Sequence, residues 1–194
     1  MPKIVSRSEK DLIYEDIYEG TINLITKKGL KGITVDDIIK ATKMAKGSFY
    51  KYYPSKEECL YDVILKYERK LLEKMKPIFS EQLTKREKYK KILKEVYLAD
   101  DSLVLYVKPE DIWVLIRKLP AEYTKKNQTK AIFNFEYILQ MFGINRKKIK
   151  MEVLDYLVSS LHYIASRGGN TTERKIALDL LVNSIVEYLI NGEN

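Results

Sequence analysis

The sequence predicts an all-α protein, a small N-terminal head of three helices followed by a larger helical body. Three observations carry this reading. Glycine and proline are scarce, at 8 and 5 of 194 residues, whereas sheet-rich and loop-rich folds need both at their many turns. Apolar residues recur at three- and four-residue spacing through most of the chain, the period of helices that bury one face. Helix-start and helix-stop residues punctuate the pattern at intervals. With 45% hydrophobic and 32% charged residues, the chain has enough apolar side chain to bury a core.

The first helix is predicted over 9–28, with Ile13, Ile17, Leu24 and Ile25 on one face and Gly20 and Thr21 small enough there to let another helix approach. Lys27 and Lys28 followed by Gly29 form a C-terminus, with cations at the negative end of the dipole and then a residue that accepts the left-handed conformation. Thr34 and Asp37 have the spacing of a capping box, and Val35, Ile38, Ile39 and Thr42 continue as a short apolar stripe. A second short helix is predicted over 45–51, ended by Tyr53-Pro54, since the residue before proline leaves the helical region. Ser55 and Glu58 form a second cap. They open a long helix carrying Leu60, Ile64, Leu65, Leu71, Leu72 and Met75, with Pro77 as its stop. Further helices are predicted over 80–99, 109–118, 125–142, 146–167 and 172–190. The division expected is a head over 1–54 and a body over 55–194.

The formal charge is +8, which favours a polyanionic partner. The single cysteine, Cys59, and single histidine, His162, exclude an internal disulfide and the usual zinc and iron–sulfur ligand sets, so no metal and no cofactor is expected. The N-terminus "MPKIVSRSEK" has no apolar stretch of a secretory signal. The longest uncharged run near the C-terminus, 156–166, falls short of the ~20 residues that span a bilayer. A cytoplasmic protein without a membrane partner is expected.

Two short helices joined by a tight turn and braced by a longer one are a helix-turn-helix, whose second helix enters the DNA major groove. There Met44, Phe49 and Tyr53 pack inward, which leaves Lys46, Ser48, Tyr50, Lys51 and Tyr52 at or near the outer surface. Hydroxyls donate to phosphate oxygens and lysines supply charge. Gly47 leaves room for the DNA backbone, and Lys56 lies in the first turn of the next helix, where free N–H groups favour an anion.

Ile17, Leu24, Gly29, "TVDDI" at 34–38, "KGSFYKYY" at 46–53 and "SKEECL" at 55–60 together resemble the DNA-binding domain of the TetR family of transcriptional regulators. The resemblance covers about a quarter of the chain. It implies a homodimer that binds double-stranded operator DNA and usually represses transcription until a small molecule enters its second domain. An effector-free regulator of the same architecture, or an activator, is the alternative. By position it assigns DNA contacts to Thr34, Lys46, Ser48, Tyr50 and Lys56. Two residues depart from the family pattern: Lys43 where the turn often has glycine, and Ala45 where a serine often caps the recognition helix.

The last two predicted helices are apolar on two sides, so each needs two partners. One is the rest of the body. The other is expected to be the same helix pair of a second subunit, through Leu154, Leu157, Val158, Leu161, His162, Leu181, Ile185 and Leu189. Among the aromatic residues between 97 and 142, Trp113, Phe133 and Tyr137 are the candidates to line a pocket for a hydrophobic or aromatic effector. No metal-ligand cluster, phosphate-cradling glycine loop or nucleophile–histidine motif supports an enzyme.

Overall fold

The computed structural model describes residues 7–123, 144, 149–169 and 171–191. Among them there is no strand, and eight α-helices can be numbered in chain order. The head consists of α1 (Arg7–Lys28), α2 (Val35–Ala41) and α3 (Lys46–Tyr52), and α4 (Lys56–Phe79) leads into the body. The body adds α5 (Lys85–Lys91), α6 (Pro109–Arg117), α7 (Met151–Ala165) and α8 (Thr172–Asn191). A π-helical turn, Ile92–Tyr97, extends α5, and a 3-10 turn, Leu103–Leu105, precedes α6.

The helix boundaries follow local chemistry. Thr34 Oγ1 accepts from the Asp37 N–H at 3.1 Å, and the Asp37 carboxylate accepts the Thr34 N–H at 2.9 Å, a complete capping box. Ser55 Oγ accepts from the Glu58 N–H at 3.1 Å. Gly29 closes α1 at φ +65°, its N–H donating to the Ile25 carbonyl at 2.8 Å. Gly20 meets α2 closely: a Cβ there would lie 3.1 Å from Thr42 Cγ2. Lys43 takes φ +53° in the turn between α2 and α3, and α3 starts at Ala45 without a side-chain cap.

Several predicted boundaries are corrected. Pro77 does not stop α4, which runs on to Phe79. In the last turn a proline loses a single bond, the one to the Glu73 carbonyl, and buried Met75 and Ile78 on either side hold the turn to the core. The helix predicted over 80–99 starts later, where Thr84 and Glu87 form a third capping box, and changes to π geometry at Ile92. The helix predicted from 146 begins at Met151. The one predicted over 125–142 lies outside the described residues.

Two hydrophobic cores result, and α4 runs through both. The first joins Ile17, Ile25, Ile33, Ile38 and Phe49 of the head to Cys59, Leu60, Val63 and Ile64 of α4 and to Ile112 and Leu115 of α6. The second joins Leu71, Met75 and Ile78 of α4 to Ile92, Val96 and Tyr97 and to the inner faces of α7 and α8. At the head end α6 adds an ion pair, Asp111 with Lys31 at 2.9 Å. In the body the turn between α7 and α8 is closed by Arg174, whose guanidinium donates to the carbonyls of Ile164, Ala165 and Gly169 at 3.2, 2.6 and 2.9 Å. One side chain thereby satisfies the last two carbonyls of α7 and that of Gly169 in the turn.

A lysine held at positive φ costs on the order of 1 kcal/mol relative to glycine. Lys43→Gly is therefore expected to raise the unfolding free energy by about 1 kcal/mol, read by urea denaturation followed by circular dichroism. No gain would show that the turn carries no such strain.

Candidate nucleic-acid interface

The rings around α3 divide between packing and exposure. Phe49 is fully buried among the head residues and Tyr53 nearly so, their ring centroids 6.0 Å apart. Tyr52, expected near the DNA surface, instead meets the Tyr14 ring edge-on at 5.3 Å, and Tyr14 also meets Tyr53 at 5.8 Å. Tyr14 thus pins α3 to α1, a contact invisible in the short-range pattern because the residues lie far apart in the chain. Tyr50 turns outward and is 47% exposed, with only its ring edge against Phe49.

Lys46, Gly47, Tyr50 and Lys51 are exposed on one short helix with Ser48 half-buried beside them, and Lys43 extends the basic face from the turn. A Cβ on Gly47 would meet nothing within 4 Å, so the open space there belongs to the surface rather than to internal packing. Lys46 Nζ donates to Asp36 Oδ1 at 3.2 Å. Both side chains are exposed, and such a pair is worth at most ~1 kcal/mol, so a phosphate can take its place. Two predicted contacts are already engaged. The Thr34 hydroxyl and N–H both bond the Asp37 carboxylate. Lys56 Nζ donates to the Ile33 carbonyl at 2.9 Å, tying the start of α4 to the loop before α2. Asp37 also accepts from Lys28 at 2.6 Å, and these partners hold its carboxyl far below the usual carboxylate range. Cys59 is fully buried and burial pushes its thiol up to about 12, a packed and unreactive group.

In the body, Trp113 lines none of the pockets found among the described residues. It stands 66% exposed on the outer side of α6, while Ile112 and Leu115 take the inner side. Phe133 and Tyr137 lie outside the described residues. A half-open cavity of about 40 Å³ lies beneath α4, lined among the described residues by Ile64, Tyr67, Glu68, Leu71, Tyr97, Leu103, Val104, Val107, Ile112 and His162. Tyr67 is committed: its hydroxyl donates to Ser102 Oγ at 3.1 Å and accepts the Leu103 N–H at 3.0 Å. His162 Nε2 donates to the Val107 carbonyl at 2.7 Å, and burial lowers its pKa. Glu68 Oε1 and the Tyr97 hydroxyl are buried without a hydrogen-bond partner. Burial pushes the Glu68 carboxyl up to about 8. A larger groove of about 550 Å³ lies open between α1 and α4, but its lysines, Lys66 and Lys70, already pair with Glu15.

The expected dimer face also needs correction. Leu154, Leu161, His162, Ile185 and Leu189 are buried in the protomer's own second core, and Leu157, Val158 and Leu181 pack half-buried around it. The apolar residues that α7 and α8 leave outside are Val153, Tyr156, Tyr163, Ile176 and Leu180, with Tyr156 74% and Leu180 62% exposed. Helical period alone showed two apolar sides and could not say which one the protomer covers.

Residues 17–63 match the family of bacterial regulatory proteins named for tetR. The head is thus a TetR-type DNA-binding domain. YuxN, an uncharacterized HTH-type transcriptional regulator of Bacillus subtilis strain 168, is 33% identical over 176 residues. That match takes in 87% of this chain and 60% of YuxN, so the chain spans somewhat less than two thirds of that relative's length. The TetR architecture, an N-terminal helix-turn-helix with a helical second domain, also aligns over nearly the whole chain with solved structures. The regulator FadR of Bacillus subtilis in complex with stearoyl-CoA has a TM-score of 0.58 at 18% identity, covering 93% of this chain and 100% of that one. A TetR-family regulator of Marinobacter aquaeolei VT8 has a TM-score of 0.56 at 17% identity, covering 92% and 98%. At these identities the likeness concerns the fold. Among the described residues no helix is long and apolar enough to cross a membrane.

The raised Glu68 pKa has a consequence for stability. The unfolded chain releases this proton near the ordinary value of 4.5, and the folded protein holds it to about 8. Between the two the folded state binds more protons, so this group's contribution to stability falls as pH rises. Glu68→Gln is expected to lose less melting temperature than wild type between pH 5 and pH 8. An equal loss in thermal melts would show that the carboxyl titrates normally.

Proposed function

We propose that the chain is a homodimeric, cytoplasmic transcriptional repressor that binds operator DNA through α3 and releases it when a small apolar ligand enters the pocket beneath α4. The observation that carries the DNA reading is the division of α3. Phe49 anchors it in the core, and Lys46, Gly47, Ser48, Tyr50 and Lys51 stand outward on one surface. A seven-residue helix so anchored can sit in a major groove and place hydroxyls and ammonium groups on flanking phosphates. The match of the head to a family of DNA-binding regulators, and the stearoyl-CoA in the FadR neighbour, support the DNA and ligand parts respectively.

The dimer is assigned to the exposed apolar side of α7 and α8, centred on Tyr156 and Leu180, since the other side is buried in the protomer's own core. Ser160 and Ser184 lie exposed on these helices and turn their hydroxyls back to the carbonyls of Tyr156 and Leu180, at 2.7 and 2.9 Å. They can therefore be covered without leaving a donor unsatisfied. Two recognition helices must then stand about 34 Å apart to meet successive major grooves. Glu68 of the pocket and Cys59, which packs against the head, share α4, so an occupant that moves α4 changes that spacing.

Fluorescence anisotropy on DNA from upstream of the chain's own gene tests the interface. Tyr50→Ala is expected to weaken binding about tenfold, the loss of one charge-assisted hydrogen bond, and Lys46→Ala to lower the salt slope by about one. Unchanged affinity in both variants would remove α3 as the reading helix. Sedimentation of a Tyr156→Glu, Leu180→Glu double variant should give a folded monomer where wild type gives a dimer. A dimer that survives would place the interface elsewhere.

A further inference from the structure

The chemistry of the pocket beneath α4 narrows the ligand, on the reading that this pocket is the effector site. Its polar groups are lopsided. Glu68 presents a buried carboxyl oxygen with no hydrogen-bond partner, and the Tyr97 hydroxyl is in the same condition with the residue only 6% exposed. Among the described lining residues there is no lysine or arginine. The one histidine, His162, spends its Nε2 proton on a backbone carbonyl, and Tyr67 is saturated by Ser102 and the Leu103 N–H. Among the described residues an anionic head entering here would find an acid and no cation, and burying an unpaired charge is among the costliest events in a protein interior. A cationic head finds the reverse: a carboxyl that becomes its counter-charge on giving up its proton, a phenolic oxygen as second acceptor, and aromatic faces that attract cations.

We propose that the pocket selects a lipophilic amine, its ammonium seated against Glu68 Oε1 with the Tyr97 hydroxyl as second acceptor and its hydrocarbon lying along the aliphatic lining. The cavity of about 40 Å³ has room for about three water-sized positions, which suits the ammonium and its first carbons. Glu68 lies on α4 and Tyr97 on the π-helical turn that follows α5, so the same head draws those two elements together. Nothing covalent occurs: the ligand arrives as an ammonium. Glu68, which burial keeps protonated up to about 8 in the empty pocket, releases its proton to solvent as the pair forms. At pH 7 binding of the amine should therefore release up to one proton, read from the dependence of the calorimetric heat on the buffer.

The test uses three probes that share one ten-carbon body: decylamine, decanol and decanoate, with decanoyl-CoA as the acyl-CoA comparison. Each is titrated into the full chain by calorimetry at pH 7 and below its micellar concentration. Decylamine should bind at least about tenfold more tightly than the other three, the size of one charge-pair term of about 1.4 kcal/mol. Glu68→Gln should remove about that factor for decylamine and leave decanol within about twofold. Tyr97→Phe should weaken the amine by a smaller factor. Decanoate or decanoyl-CoA binding as tightly as decylamine to wild type would overturn the proposal, and so would binding by none of the four; neither result depends on a variant folding. An amine preference that survives Glu68→Gln unchanged would overturn it as well. Operator affinity, measured on the same samples, separates the two readings. Normal DNA binding with a preference for decanoate sinks the amine and spares the regulator; amine binding without DNA binding does the opposite.

Discussion

A single helix has to satisfy two hydrophobic cores, and the rest of the fold is arranged around that demand. The first turns of α4 bury Cys59, Leu60, Val63 and Ile64 with the head, and its last turns bury Leu71, Met75 and Ile78 with the body. At 24 residues it is about 36 Å long, and a rigid rod of that length cannot shift at one end without moving at the other. The head has no hydrophobic core of its own that excludes α4, so head and body meet along shared packing rather than through a linker.

The aromatic residues crowded around α3 serve that packing more than they serve recognition. Of Phe49, Tyr50, Tyr52 and Tyr53, three turn to the protein and one to solvent. The three that turn inward fix the angle of a helix too short to hold itself, since seven residues lie well below the length at which an isolated helix is stable in water. The exposed ring and its flanking lysines can then be presented rigidly. The absence of a capping side chain at Ala45 and the left-handed Lys43 are tolerated because Phe49 and Tyr53 supply the anchoring that local chemistry omits.

Much of this was legible in the residues. Thr34 with Asp37, Gly29 after two lysines, and Ser55 with Glu58 placed the head's helices to within a residue or two, because caps act over three or four positions and need no tertiary partner. Pro77 misled because a proline near a helix end loses little, and the outcome rested on burial of Met75 and Ile78. The sites were less legible. That Tyr52 faces Tyr14, that Lys56 reaches the Ile33 carbonyl, and that Leu161 and Ile185 face inward are facts about segments far apart in sequence. Glu68 was passed over for the same reason: a glutamate on a long amphipathic helix reads as a solvated residue until the elements that bury it, Tyr97 and the 3-10 turn, are in place.

One small arrangement between α1 and α4 bears on how the head is held. Glu15 accepts from both Lys66 and Lys70, and both ammonium groups lie over the Tyr18 ring, at 4.7 and 4.1 Å from its centroid. The two lysines are one helical turn apart, about 6 Å along the axis. If the helices were pulled apart, all of these contacts would be lost together. One carboxylate and one ring on α1 thereby hold two successive turns of α4.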